Sequence, residues 1–110
     1  MIDLNPIKSF ALQNNVDLDI SFAFDGSIKI SRIFVPKTLR KQGIGTKVMS
    51  FICEFADKEN RIILLSPSTD FGATSIDRLK RFYKQFGFKN NIGGRKNFKY
   101  SETMIRYPNS

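Results

Sequence analysis

The sequence predicts a single mixed α/β domain, and three observations carry that reading. An extended apolar run, a glycine turn and an amphipathic helix follow one another between residues 27 and 58, and a short continuous apolar segment comes next, the order of a right-handed β-α-β unit. Ahead of that unit, alternating residues on either side of Asp25-Gly26 read as an antiparallel hairpin. Behind it, a second amphipathic helix is closed by Gly87. At 110 residues, with 41% hydrophobic residues and 11 Phe, the chain has the material for one core, so residues 1–110 are expected to form one domain.

Taken in order, residues 4–15 carry Ile7, Phe10, Ala11 and Leu12 at helical spacing, which predicts a short N-terminal helix. Residues 16–24 alternate as Val16, Leu18, Ile20, Phe22 and Phe24, a half-buried strand. Asp25-Gly26 is a two-residue hairpin signal, and residues 27–35 return as the partner strand, ended by Pro36, which has no N–H for the ladder. A helix over residues 43–58 places Ile44, Val48, Phe51, Ile52 and Phe55 on one face, with Cys53 beside that stripe. Residues 61–66 are apolar throughout, as in the interior of a parallel sheet. Residues 67–73 read as a loop, and Thr74-Ser75-Ile76-Asp77 as a capped helix start. The helix that follows buries Ile76, Leu79, Phe82 and Phe86 and turns Arg78, Lys80, Arg81 and Lys84 to water. Residues 90–97 are a polar loop, and residues 99–107 a final strand that stops at Pro108.

The most informative stretch is Arg40-Lys41-Gln42-Gly43-Ile44-Gly45-Thr46, an Arg-x-x-Gly-x-Gly turn at the start of the first long helix. Glycines let backbone N–H groups approach an anion, and a helix start adds unpaired amides and the positive end of its dipole. The same string also suits a turn that merely starts a helix. Its spacing is neither the dinucleotide G-x-G-x-x-G nor the P-loop pattern, so another phosphate-bearing ligand fits better.

These residues resemble the signature of the GNAT superfamily of N-acetyltransferases, which carry [Arg/Gln]-x-x-Gly-x-[Gly/Ala] between a strand and a helix. Phe82-Tyr83-Lys84-Gln85-Phe86-Gly87-Phe88 is similar to the family's later Tyr-x-x-x-Gly-Phe ending. The likeness spans residues 28–88 and extends loosely to 99–107, while residues 1–15 match no part of it, and the chain is short for the family. It implies a mixed central sheet splayed between two parallel strands and flanked by helices, with acetyl-CoA held in the split and an amine as acceptor. It also implies that Arg40, Lys41, Gln42, Gly43, Ile44, Gly45 and Thr46 cradle the pyrophosphate, and that the pantetheine arm lies along Ile33, Phe34, Val35 and Ser66. Many members have an Asn seven residues before the tyrosine; Ile76 stands there in this chain, leaving Ser75 as the neighbouring candidate contact.

On the same resemblance Tyr83 is the candidate general acid for the departing thiolate and a further contact to the cofactor; read without it, Tyr83 is a packing tyrosine. No general base stands out, leaving a water chain or Asp70. The chain has no histidine, which excludes histidine triads, histidine zinc sites and imidazole acid–base steps. Its single Cys53 excludes an internal disulfide and reads as a core thiol suited to a reducing cytoplasm. No apolar run is long enough to cross a membrane and the first residues do not form a signal peptide, so a cytoplasmic protein is expected. The net charge of +8 calls for an anionic partner, which a triply phosphorylated cofactor meets in part. A rival reading is a basic module for nucleic acid or protein, resting on Lys80-Arg81-Phe82-Tyr83-Lys84 and Arg95-Lys96-Asn97-Phe98-Lys99-Tyr100 as interleaved cations and rings. Gly94-Arg95-Lys96 with Tyr100 is open between an exposed basic loop and an acceptor contact. The short N-terminal region leaves a sheet edge or the acceptor cleft uncovered, from which a homodimer is expected.

Overall fold

The computed structural model of the protein describes residues 3–35, 43–67, 76–92, 97 and 99–108. The described elements run α1 (Asn5–Gln13), β1 (Asp17–Phe22), β2 (Ile28–Phe34), α2 (Ile44–Lys58), β3 (Ile63–Leu65), α3 (Ile76–Lys84), β4 (Lys89–Asn90) and β5 (Met104–Arg106). The strands form one mixed sheet in the order β1-β2-β3-β5-β4, with β2 and β3 parallel and the other pairings antiparallel.

The hairpin is where expected but wider than two residues. Gly26 N–H donates to Ala23 O at 3.0 Å and Ala23 N–H to Ser27 O at 2.7 Å, so Phe24, Asp25 and Gly26 form a three-residue loop. Gly26 sits at φ +86°, the left-handed position that closes such a loop after a tight turn. Asp25 stabilises the turn from its own side chain, accepting the Ser27 N–H at 3.0 Å. Farther along, the register passes from Ile20↔Ile30 to Asp19↔Arg32, which leaves Ser31 without an opposite residue. This bulge bends β2 just past Ile30, and Ile30↔Leu65 is also the last pair between β2 and β3. Beyond that pair β2 continues to Phe34, paired among the described residues with β1.

One face of the sheet carries the main core. Ile20, Ile28, Ile30, Ile63, Leu65 and Met104 pack there against Ile7 and Ala11 of α1, the buried face of α2, and Tyr83 and Phe88. That α2 face is Val48, Met49, Ile52, Cys53 and Ala56, a stripe turned slightly from the predicted one, so that Cys53 is inside it and Phe51 and Phe55 flank it. Phe51 stacks on Phe10 with ring centroids 4.5 Å apart, fixing α1 to α2. Burial of side chains of this size stabilises by about 1.5–3 kcal/mol each. α2 therefore tolerates a glycine N-cap that offers no side-chain cap, a loss on the order of a few tenths of a kcal/mol.

α3 ends at Lys84, and a turn over residues 85–87 closes it with Gly87 at φ +95°, the stop the sequence predicts. Two expectations fail after it. Asn90 is not in the expected loop but ends a short edge strand, β4, in which Lys89 and Asn90 pair with Ile105 and Met104. The final strand covers only Met104–Arg106, whereas residues 99–103 are irregular. The cause is Asn91, whose buried side chain accepts the Asn97 N–H at 2.7 Å and donates to Glu102 O at 3.0 Å, holding that stretch in a loop instead of a ladder. The loop lays Tyr100 on the second face of the sheet, over Leu64 and Ile105. Arg106 closes the far side: its guanidinium grips both Asp57 oxygens at 2.8 and 3.0 Å and donates to Phe86 O at 2.6 Å, joining β5 to the ends of α2 and α3.

Candidate functional site

Gly45, the second glycine of the turn, lies against Val35, just past the end of β2. Gly43 is the N-cap of α2 in the left-handed conformation, φ +72°, and a Cβ added there would meet nothing within 4 Å. The backbone, rather than crowding, is what requires glycine at this position. Lys47 N–H donates to Gly43 O at 3.0 Å as the first bond of the helix, so the amides of Ile44, Gly45 and Thr46 precede the helical ladder. Among the described residues no side chain caps them, and no acidic residue occupies the first turn. That is the electrostatic setting of an anion site.

Gly45 marks a corner. A Cβ there would stand 3.5 Å from Val35 Cγ2 and 3.8 Å from Phe82 Cζ, so the end of β2, the start of α2 and the side of α3 converge on it. A methyl group fits at these distances, whereas a longer side chain must push into the corner. Ile33 and Val35 are half-buried against the core, and Phe34 is half-buried too. Ser66, just past β3, is exposed, and its hydroxyl accepts the Thr103 N–H at 3.1 Å, tying the end of β3 to the start of β5. No sequence signal foretells that link, because its ends are 37 residues apart.

Tyr83 is adjacent to this corner through Phe82, with ring centroids 5.4 Å apart, and also packs edge-on against Phe88 at 5.7 Å. It is 5% exposed, deeper than the position at the core's edge that the sequence suggests. Burial pushes its hydroxyl up to about 12, so it holds its proton at neutral pH. Ile76 is half-buried at the start of α3. Arg40, Lys41, Gln42, Asp70, Ser75, Gly94, Arg95 and Lys96 lie outside the described residues.

Other candidate groups serve the fold. Cys53 is buried, and burial raises its thiol to about 11, leaving it protonated and unreactive. Tyr100 does not face an acceptor or stack on a ligand: it is buried and its hydroxyl donates to the Asp25 carboxylate. That bond holds Asp25 well below the ordinary carboxylate range, with help from the Ser27 N–H and from Lys99 at 3.1 Å. Of the rings in the rival reading, Phe82 and Tyr83 pack into the core and Tyr100 is buried, while Phe98 lies outside the described residues; Arg81 and Lys84 are exposed and Lys80 is half-buried. No group of His, Cys, Asp or Glu among the described residues has the makings of a metal site, and no described helix is long and apolar enough to cross a membrane.

A mixed five-stranded sheet with a central parallel pair, β2 and β3, and a glycine-started helix between them in sequence fits the GNAT fold. The chain belongs to that family: the acetyltransferase (GNAT) domain model matches residues 11–90. Among solved structures, the chain is similar to Ard1 from Thermoplasma volcanium at 19% identity and a TM-score of 0.56, over 86% of this chain. It spans 64% of that protein's chain. A "putative acetyltransferase" from Agrobacterium tumefaciens is similar at 22% identity and a TM-score of 0.41, over 92% of this chain and 82% of that one. A search of curated proteins finds no significant match.

Proposed function

We propose that the protein is an acetyl-CoA-dependent N-acetyltransferase acting on a primary amine. The observation that carries this reading is the start of α2: left-handed Gly43, amides from Ile44 to Thr46 that no described side chain caps and no carboxylate in the first turn, with Gly45 set against Val35 just past the end of β2. Acetyl-CoA supplies an activated acetyl thioester, and the residues present suit it. The amides of Gly43, Ile44, Gly45 and Thr46 hold pyrophosphate, with Arg40, Lys41 and Gln42 leading into the cradle. Ile33, Phe34 and Val35 on one strand and Ser66 beyond the other offer backbone groups that orient an extended arm. Ser75 takes the place of the family's Asn. Tyr83 holds a proton at its hydroxyl for the thiolate that leaves as the amine nitrogen bonds to the acetyl carbon and the C–S bond breaks. The amine's own surplus proton passes to water. A second copy pairs with the outer edge of β1, and the buried, reduced Cys53 suits a cytoplasmic setting.

The test is calorimetric titration with CoA. Gly43→Glu puts a side chain on a left-handed position and a negative charge into the anion site, so binding should be lost while the circular dichroism spectrum keeps its shape. Gly45→Glu should do the same from the corner with Val35 and Phe82. Undiminished CoA binding in both variants would overturn the cradle.

A further inference from the structure

We infer that the outer face of α3 is a docking ridge for the phosphate backbone of a nucleic acid. The inference is independent of the acetyl-transfer reading. Between Ile76 and Asn90 the sequence carries Arg78, Lys80, Arg81, Lys84 and Lys89 against the single Asp77, so one short segment supplies half of the chain's net charge of +8. Apart from Lys80, which is half-buried, the structure sorts this segment by face. Leu79, Phe82 and Phe86 pack against the core and Tyr83 is buried in it, while Arg78, Arg81, Lys84 and Lys89 are exposed. No described carboxylate forms an ion pair with Arg81, Lys84 or Lys89. Elsewhere four described cations are matched, Lys29 by Glu102, Arg32 by Asp17, Lys99 by Asp25 and Arg106 by Asp57, and the exposed Lys8, Lys47 and Lys58 are spread along α1 and α2 instead of gathered in one short segment.

The kind of partner follows from what the ridge lacks. Tight protein interfaces centre on a desolvated apolar or aromatic anchor. The exposed large apolar side chains, Leu12, Phe22, Phe24, Ile92 and Tyr107, all lie off α3. A polyphosphate needs no such anchor, because its binding comes from charge neutralisation and counterion release. Six residues of helix separate Arg78 from Lys84, about 9 Å along its axis. That length matches about three phosphates along one strand of a duplex. With no ring available for stacking and no base-reading constellation, the ridge binds duplex DNA or RNA without sequence preference.

The experiment measures fluorescence anisotropy of labelled 20-base-pair DNA and RNA duplexes of mixed sequence, titrated with the protein from 50 to 200 mM salt. Binding should weaken with a log–log slope of about −3 to −4, as expected for three or four cations on phosphates. Arg81→Ala/Lys84→Ala should weaken binding by tenfold or more at 50 mM salt and make the slope shallower by about 2. A control that removes the same charge elsewhere, Lys8→Ala/Lys29→Ala, should change it far less. CoA affinity of the ridge variant, read by calorimetry, should be unchanged. The inference is overturned by any of four results: no duplex binding at 50 mM salt, equal loss in ridge and control variants, loss of CoA binding in the ridge variant, or equally tight ridge-dependent binding of poly-glutamate.

Discussion

Tyr83 concentrates the tension between packing and chemistry at the scale of one residue. Its ring is 5% exposed between Phe82 and Phe88, and its burial raises the hydroxyl to about 12. A group with that value is fully protonated wherever an amine acceptor is studied, so it can give a proton but is a poor base. Tyr83→Phe removes the oxygen and keeps the ring. Folding and CoA affinity should barely change, while turnover should fall by about 10²–10⁴, the loss typical of an acid–base group, where chemistry limits the rate. The pH profile adds a second check. Because the hydroxyl deprotonates only near 12, the wild-type profile should show no falling limb from Tyr83 between pH 8 and 10. Normal turnover in Tyr83→Phe, or an alkaline limb near pH 9 that the substitution removes, would return the residue to packing or revise its environment. What the sequence shows of this residue is its place in Tyr-x-x-x-Gly-Phe. Its depth is not legible there, because that depends on Phe88 folding back past Gly87.

Elements were legible where one physical signal dominates. The hairpin, α2, β3 and α3 follow from alternation, helical periodicity and glycine stops. The hairpin loop came out one residue longer because Asp25 and Gly26 form the end of a tight turn that starts at Ala23, a distinction that depends on backbone conformation. Residues 99–103 carry strand-like composition, yet Asn91 claims their neighbours' backbone groups, a long-range choice that no local pattern encodes. The bulge at Ser31 in β2, just past the last described pair with β3, is equally silent in sequence. The edge strand β1 carries the assembly prediction. No described strand lies beyond it, and an uncovered edge recruits another. Its Asp17 and Asp19 are exposed and repel a second copy, with Arg32 offsetting Asp17 at 3.0 Å. Light scattering should therefore show a doubled mass that strengthens with added salt. A monomer at every concentration and salt level would refute the pairing.

At the scale of the whole molecule, the sheet is two halves that meet along only three residue pairs between β2 and β3. Past Ile30 and Leu65 the halves are joined through the helices, with Val35, Gly45 and Phe82 meeting at the corner. A ligand that spans the start of α2 and both strand ends would bind the folded chain and not the unfolded one. Mass action then sets the stabilisation: about 2.7 kcal/mol when CoA is present at about 100 times its dissociation constant. For a domain near this size each kcal/mol raises the unfolding temperature by about 4–8 °C, so saturating CoA should raise it by on the order of 10 °C or more. The charge ridge makes the control demanding, since any polyphosphate also reduces self-repulsion in a chain of net charge +8. ATP and inorganic pyrophosphate at matched ionic strength should thus give much smaller shifts than CoA, and Gly43→Glu should lose the CoA shift while keeping the small general one. Equal shifts from CoA and ATP, both surviving Gly43→Glu, would mean that the molecule responds to phosphate charge alone and that nothing bridges the parted strands.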